Sequence, residues 1–425
     1  MTEDKIKELN LQERLIERFF RYAAIETQSK EGVEEVPSTP GQWDLAKLLA
    51  EDLAELGLED ISISDHCVVI GHLPARLNAG RKNVPTIGWI AHMDTVDVGL
   101  SPEVHPQLIC NYQGGDVCQN AEKNIYISVD EHPELLEHIG EDLIVSDGTS
   151  VLGADNKAAI VNVICALEVL KNNPDIEHGT IYVAFVPDEE VGLCGARKMD
   201  LSKFPVDYAY TIDCCTLGEV VYETFNAGSG TLRVKGVSAH PMSSKNNLVN
   251  PLLVAVDFIN LLNRGQAPEF TEGREGYIWP TDIHSDVLNC VLQLNIRDHN
   301  KAGYEAKKAY LEEGLKLIRM KHPKAEIELE IKDVYGNIAD AVTAENRQCI
   351  DDLYTALEEL GIPAKTIPMR GGTDGSYIST QGILTPNYFT GAHNFHSRCE
   401  FMPMGAVEKS CLVTLKLMEL AVRDK

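Results

Sequence analysis

Between residues 84 and 213 the chain alternates near-continuous apolar strands with helices, which constrains its fold more than any other feature. VPTIGWIAHMDT runs apolar and β-prone up to His92, and KAAIVNVICALEVLKNN predicts a helix just after Asp155. TIYVAFVPDEE is a strand ending at Glu189, and VDYAYTID one ending at Asp213. Strands apolar on both faces and separated by helices predict an α/β fold: a mixed, mostly parallel sheet with helices on both faces. In such open sheets ligands bind outside the carboxyl ends of the strands. His92, Asp94, Glu189, Glu190 and Asp213 all sit at those ends, with Asp155 at a helix start, so one site can gather side chains more than a hundred residues apart.

On either side the texture differs. Residues 9–26 and 43–57 carry apolar positions at helical spacing, and ISISDHCVVIGHL reads as a strand pair. After Asp213 come TFNAGSGTLRVKG (strand), PLLVAVDFINLLNR (helix), NCVLQLNIRD (strand), KKAYLEEGLKLIRMKH (helix) and KAEIELEIKDVYG (strand), the order of a small α+β sheet with helices on one side. From about Ala344 the chain returns to a helix, the Gly-rich turn RGGTDGSYIS, the strand TPNYFTG and a terminal helix to Lys425. At 425 residues the chain exceeds one ordinary core, which predicts two domains or one domain carrying a large insertion.

Composition narrows the partners. Asp plus Glu number 65 against 38 Lys plus Arg, a net charge of −27 that disfavours nucleic acid and anionic membranes. Most of this acidity reads as solvated surface. Charges spread through the first twenty residues predict no secretory signal, and no apolar run reaches the roughly 18 residues of a membrane span. Eleven cysteines, scattered except for Cys214 and Cys215 and without a CxxC pair, suggest neither a disulfide framework nor a cysteine zinc site, so a reducing cytoplasm is expected.

Three motifs carry chemistry. In HMD, residues i and i+2 point to one side of a strand end, so Asp94 can accept one ring N–H of His92 and aim the other nitrogen at a metal; a histidine in a turn is the plain alternative. In GADNKAA, Asp155 is either a helix cap or, next to the turn-rich SDGTSVLG, a carboxylate that bridges two cations. PDEE offers two neighbouring carboxylates, one for a metal and one free as a base, unless it is an acidic surface loop.

Together with SDGTSVLGADNKAA, VPDEEVG, TIDCC, ETFNAGSGTLRVKGVSAHP, TEGREGY, RGGTDGSYIS and GAHNFHSRCE, in this order across essentially the whole chain, these motifs resemble the aminotripeptidase branch of the two-zinc metallopeptidases. That family also includes aminoacylases and the carboxypeptidase G type. The resemblance implies that His92 and Asp213 hold one zinc, Glu190 and His396 a second, and Asp155 bridges both. It makes Glu189 the general base, Asp94 the orienter of His92, and the Asp155–Asn156 peptide cis. His240, in SAHP, stands where relatives direct an imidazole at the scissile carbonyl oxygen, and Arg370 where an arginine meets the substrate's carboxylate. Arg297 reads as structural, paired with Asp298.

Because four ligand segments precede residue 214 and His396 lies far downstream, the resemblance divides the catalytic domain into residues 1–221 and 338–425. The inserted 222–337 would be a lid and dimerisation domain, making the protein a homodimer. The implied activity is release of the N-terminal residue from tripeptides, with a dipeptidase, carboxypeptidase or N-acyl amino acid deacylase as the alternative. Some residues depart from the pattern. Cys214 follows the TID aspartate and Met242 follows Pro241, both where the family usually has glycine, and Cys194 lies just beyond the acidic pair. These changes leave the metal set intact and bear on pocket size. A rival use of Cys214 and Cys215 is thiol redox chemistry.

Overall fold

The computed structural model describes residues 10–78 and 84–423 and divides into two compact units. The first comprises residues 1–221, 342–367 and 373–425, the second 222–341 and 368–372.

An eight-stranded sheet organises the first unit, in the order Glu59–Ile63, Val69–Leu73, Ile181–Val186, Ile87–His92, Tyr208–Cys214, Asn387–Phe389, Glu219–Glu223, Lys365–Pro368. Its centre is parallel: Ile87–His92 lies between Ile181–Val186 and Tyr208–Cys214, and Asn387–Phe389 continues parallel to Tyr208–Cys214. Strands Val69–Leu73 and Glu59–Ile63 add antiparallel at one side and Glu219–Glu223 adds antiparallel to Asn387–Phe389. The predicted mixed sheet is therefore present, with the parallel strands at its centre.

Alternation along the strands builds a core on each face. On one face Ile90, Ala184, Val186 and Ala209 pack with Phe204, Ala196 and Ile378. On the other, Trp89 donates from its indole nitrogen to the Tyr388 hydroxyl at 3.0 Å, and that hydroxyl meets Thr414 of helix Met404–Leu420. This helix packs on Ala154–Asn172, as do Leu11–Ala23 and Gly41–Leu56. Helix Ala154–Asn172 is buried all round, which explains its apolar sequence.

The second unit is an antiparallel four-stranded sheet, ordered Tyr277–Ser285, Asn289–Asp298, Asn226–Lys235, Glu326–Tyr335. Helices Pro251–Ile259 and Lys301–Lys321 cover one face, where Val254, Phe258, Leu292, Leu294, Leu311 and Ile318 form the core. Strand Tyr277–Ser285 was not expected from the sequence. It contains Pro280 and Asp282, which weaken a strand pattern, and it lies at the sheet edge with a register shift at that point, where a missing N–H is tolerated. The expected Arg297–Asp298 pair does not form, because adjacent strand residues point to opposite faces. Arg297 donates to the carbonyls of Gly228 and Ile296, while Asp298 pairs with Lys307.

Candidate metal centre

Three neighbouring parallel strands deliver His92, the 187–190 turn and Asp213 to one edge of the large sheet. Asp155 arrives from the start of Ala154–Asn172, where it and Asn156 are non-helical and joined by a cis peptide. Gly153 precedes it at φ 75°, and a Cβ there would come 2.9 Å from the Thr95 methyl, so both conformation and space demand glycine. His396 returns in the loop before Phe401–Pro403, itself at φ 60°.

The Asp155 carboxylate is the hub. Its Oδ1 lies 3.0 Å from His92 Nε2 and its Oδ2 3.0 Å from His396 Nε2. His396 Nε2 also lies 2.9 Å from Glu190 Oε1. Asn156 Nδ2 donates to the Ile212 carbonyl and, at 3.3 Å, to Asp213 Oδ1. His92 Nδ1 lies 3.1 Å from the Asp94 main-chain carbonyl oxygen and 3.4 Å from its Oδ1, and the Asp94 carboxylate in turn accepts the backbone N–H groups of Glu189 and Glu190 at 2.9 and 3.2 Å. Asp94 thus orients the His92 imidazole through its main-chain carbonyl and its buried carboxylate, and that carboxylate also holds the turn bearing the acidic pair.

These donors form three sets whose atoms lie within 4.8 Å of one another: His92, Asp155 and Asp213; Asp155, Glu190 and His396; and His92, Glu189 and Glu190. The first two share Asp155 through different oxygens, as a carboxylate bridging two cations requires. Imidazole nitrogen and carboxylate oxygen suit divalent zinc. The electrostatics also call for cations. Burial, reinforced by neighbouring carboxylates, pushes Glu189 and Asp213 well above the ordinary range, and Glu190 is raised for the same reason. The Asp155 and Glu190 contacts push His396 up to about 11.

His240 and Arg370 both belong to the second unit. His240 is exposed, and its Nδ1 accepts the Met242 N–H at 3.2 Å. Arg370 donates from Nη1 to the Gly273 and Glu275 carbonyls and from Nη2 to Thr271, and its guanidinium lies over Phe225 and Tyr277. Strip 368–372 joins this unit through such bonds and through the Phe225 N–H to the Gly371 carbonyl. Cys214 is buried and its thiol pushed well above the usual range by burial, the reverse of what a reactive thiolate needs; all eleven cysteines are free.

Two buried carboxylates were missed from sequence. Glu400 accepts the N–H groups of Leu152, Gly153 and Asp155 at 2.8, 2.8 and 3.1 Å. Asp374 is buried at the start of helix Asp374–Thr380. Both lie inside motifs already singled out, four residues after His396 and four after Arg370, but nothing in their spacing distinguishes them from surface acids.

The chain is similar to known peptidases. Residues 153–420 match the model of Peptidase family M20/M25/M40. A peptidase T-like protein of Yersinia pestis is 51% identical over 95% of this chain and 97% of its own, and peptidase T of Alkaliphilus oremlandii is 42% identical over 96% and 98%. The crystal structure of aminopeptidase PepT from Bacillus cereus superposes with a TM-score of 0.74 at 22% identity, covering 97% of this chain and 99% of that one.

Proposed function

Because this chain belongs to the M20/M25/M40 peptidase family, we propose that it is a dizinc aminopeptidase that releases the N-terminal residue from tripeptides. One observation carries the reading: the two oxygens of Asp155 each face a different imidazole at 3.0 Å, from segments 63 and 241 residues away. His92, Asp155 and Asp213 would hold one ion; Asp155, Glu190 and His396 would hold the other. Two zinc ions held there would supply Lewis acidity for the scissile carbonyl and lower the pKa of a bound water. Glu189, half-buried and with its carboxyl raised well above the ordinary range, takes the proton of the attacking water and passes it to the departing amine. Asp94 keeps His92 aimed through its main-chain carbonyl and carboxylate, and the carboxylate holds Glu189 in place by accepting its N–H.

His240 Nδ1 is occupied as an acceptor, so the neutral ring carries its proton on Nε2, the form that donates to a developing oxyanion. The Arg370 bonds leave Nε and one proton of Nη2 for a peptide's carboxylate. The second unit acts as lid and dimer contact; Leu252, Leu253 and Val256, exposed on Pro251–Ile259, support the latter. Eleven free cysteines suit a reducing cytoplasm.

Glu189→Ala tests the mechanism. Trialanine turnover should vanish while both metals remain bound, and near-normal hydrolysis refutes the role. A panel of di-, tri- and tetrapeptides and acyl amino acids, with and without chelator, tests the specificity: preferred hydrolysis of anything but tripeptides overturns it.

A further inference from the structure

The carboxylates around the metal centre can be accounted for one by one. Asp155, Glu190 and Asp213 face the metal positions with His92 and His396, and Glu189 sits beside them. Asp94 accepts two backbone N–H groups. Asp188 accepts from the Ser38 backbone and hydroxyl and from Gln42, and Glu400 accepts three backbone N–H groups. Asp374 differs. It is 2% exposed, and among the described residues it is the only buried carboxylate with both oxygens unbonded.

Its place in the fold brings it to the same centre. Helix Asp374–Thr380 packs against strands Ile87–His92 and Tyr208–Cys214, which carry His92 and Asp213. The adjacent Gly375 backs onto Thr211, where a Cβ would come 3.3 Å from the hydroxyl. Asp374 feels the charges of His92, Asp94 and Glu190, and its own charge acts on Glu189 and Asp213. Yet it belongs to none of the three donor sets that could hold a metal ion. Burying a carboxylate without a hydrogen bond or a counterion is costly, so such a group calls for a cationic partner. Burial pushes its carboxyl up to about 7, with Asp94 and Glu190 adding to the rise against His92.

We propose that Asp374 is the acceptor for the free α-ammonium group of the bound peptide. This rests on the aminopeptidase reading. In such a reaction the substrate brings one cation of its own, two covalent bonds from the scissile carbonyl carbon, so its acceptor must stand beside the metal centre and outside the metal shells. Asp374 is the carboxylate in that position. A charged N–H donor meeting an ionised oxygen in a buried site is among the stronger hydrogen bonds, and an N-acylated peptide cannot make it.

The test uses the full-length, zinc-loaded protein. Trialanine and N-acetyl-trialanine are titrated calorimetrically into Glu189→Gln and into the same variant carrying Asp374→Asn or Asp374→Ala, with bound zinc counted after equilibrium dialysis. Both Asp374 substitutions should weaken trialanine binding on the order of 10- to 100-fold, leave N-acetyl-trialanine unchanged and keep two zinc ions. A preference for the free amine that survives substitution overturns the proposal while the aminopeptidase reading stands. Loss of a zinc ion makes Asp374 a ligand instead and also overturns it. Equal weakening of both peptides assigns it a merely structural role. Failure of the wild-type enzyme to hydrolyse trialanine removes the underlying reading, and the proposal with it.

Discussion

Replacing Glu400 tests whether the metal centre is held from behind. The carboxylate accepts two N–H groups at 2.8 Å and a third at 3.1 Å, all from the segment that presents Asp155, and it is 1% exposed. Glu400→Ala leaves three donors in a dry place. At about 1–3 kcal/mol for each unsatisfied buried group, with partial relief from entering water, the loss should be about 3–5 kcal/mol, a large part of the roughly 5–15 kcal/mol of a typical domain. Glu400→Gln keeps one acceptor oxygen and turns an amide NH2 toward the remaining donors, so about 1.5–3 kcal/mol is expected. Because the segment carries Asp155, the proposed bridging ligand, zinc affinity should fall roughly 10- to 100-fold, as when other orienting partners are removed. Urea unfolding of the metal-free protein reads the first effect. With two compact units more than one transition is expected, so the shift is read on the transition that zinc raises. Competition with a chromophoric chelator reads the second. An Ala variant within about 0.5 kcal/mol of wild type, with zinc affinity intact, would refute the reasoning.

Two further substitutions probe neighbouring positions. Asp94→Asn should lower zinc affinity by about 10-fold, since the main-chain carbonyl 3.1 Å from His92 Nδ1 stays in place while the carboxylate 3.4 Å away, which holds the 189–190 turn, loses an acceptor oxygen; chelator competition that gives wild-type affinity contradicts this. His393 has its pKa pushed down to about 4 by burial and by His138, whose Nε2 lies 3.2 Å away. A depressed histidine keeps its stabilising contribution above its unfolded pKa near 6.5 and loses it as pH falls toward 4, by up to about 3 kcal/mol. His393→Gln should flatten that part of the stability–pH curve, and an unchanged slope between pH 6.5 and 4 argues against the assignment.

Much of this protein was legible before any coordinates. Apolar strands such as Ile87–His92 can only be buried on both faces, so periodicity alone indicated the parallel centre of the sheet and the edge at which His92 and Asp213 lie. Edge strand Tyr277–Ser285 escaped because its pattern is broken by Pro280 and Asp282, and strands there owe their pairing to a neighbour more than to their own composition. The Arg297–Asp298 pair was misread because adjacency in sequence is not adjacency on a strand.

The amino-acid order by itself determined most of the element types, the family and the set of nitrogen and oxygen donors, since these depend on local periodicity and on short motifs. Tertiary structure decided which oxygen of Asp155 meets which imidazole, that Glu400 fastens the Asp155 segment, and that Asp374 is buried beside the centre without a partner. Such facts depend on burial and on distances between segments that can lie more than two hundred residues apart. An aspartate in water and an aspartate in a dry cleft are the same letter, and only packing gives them different chemistry.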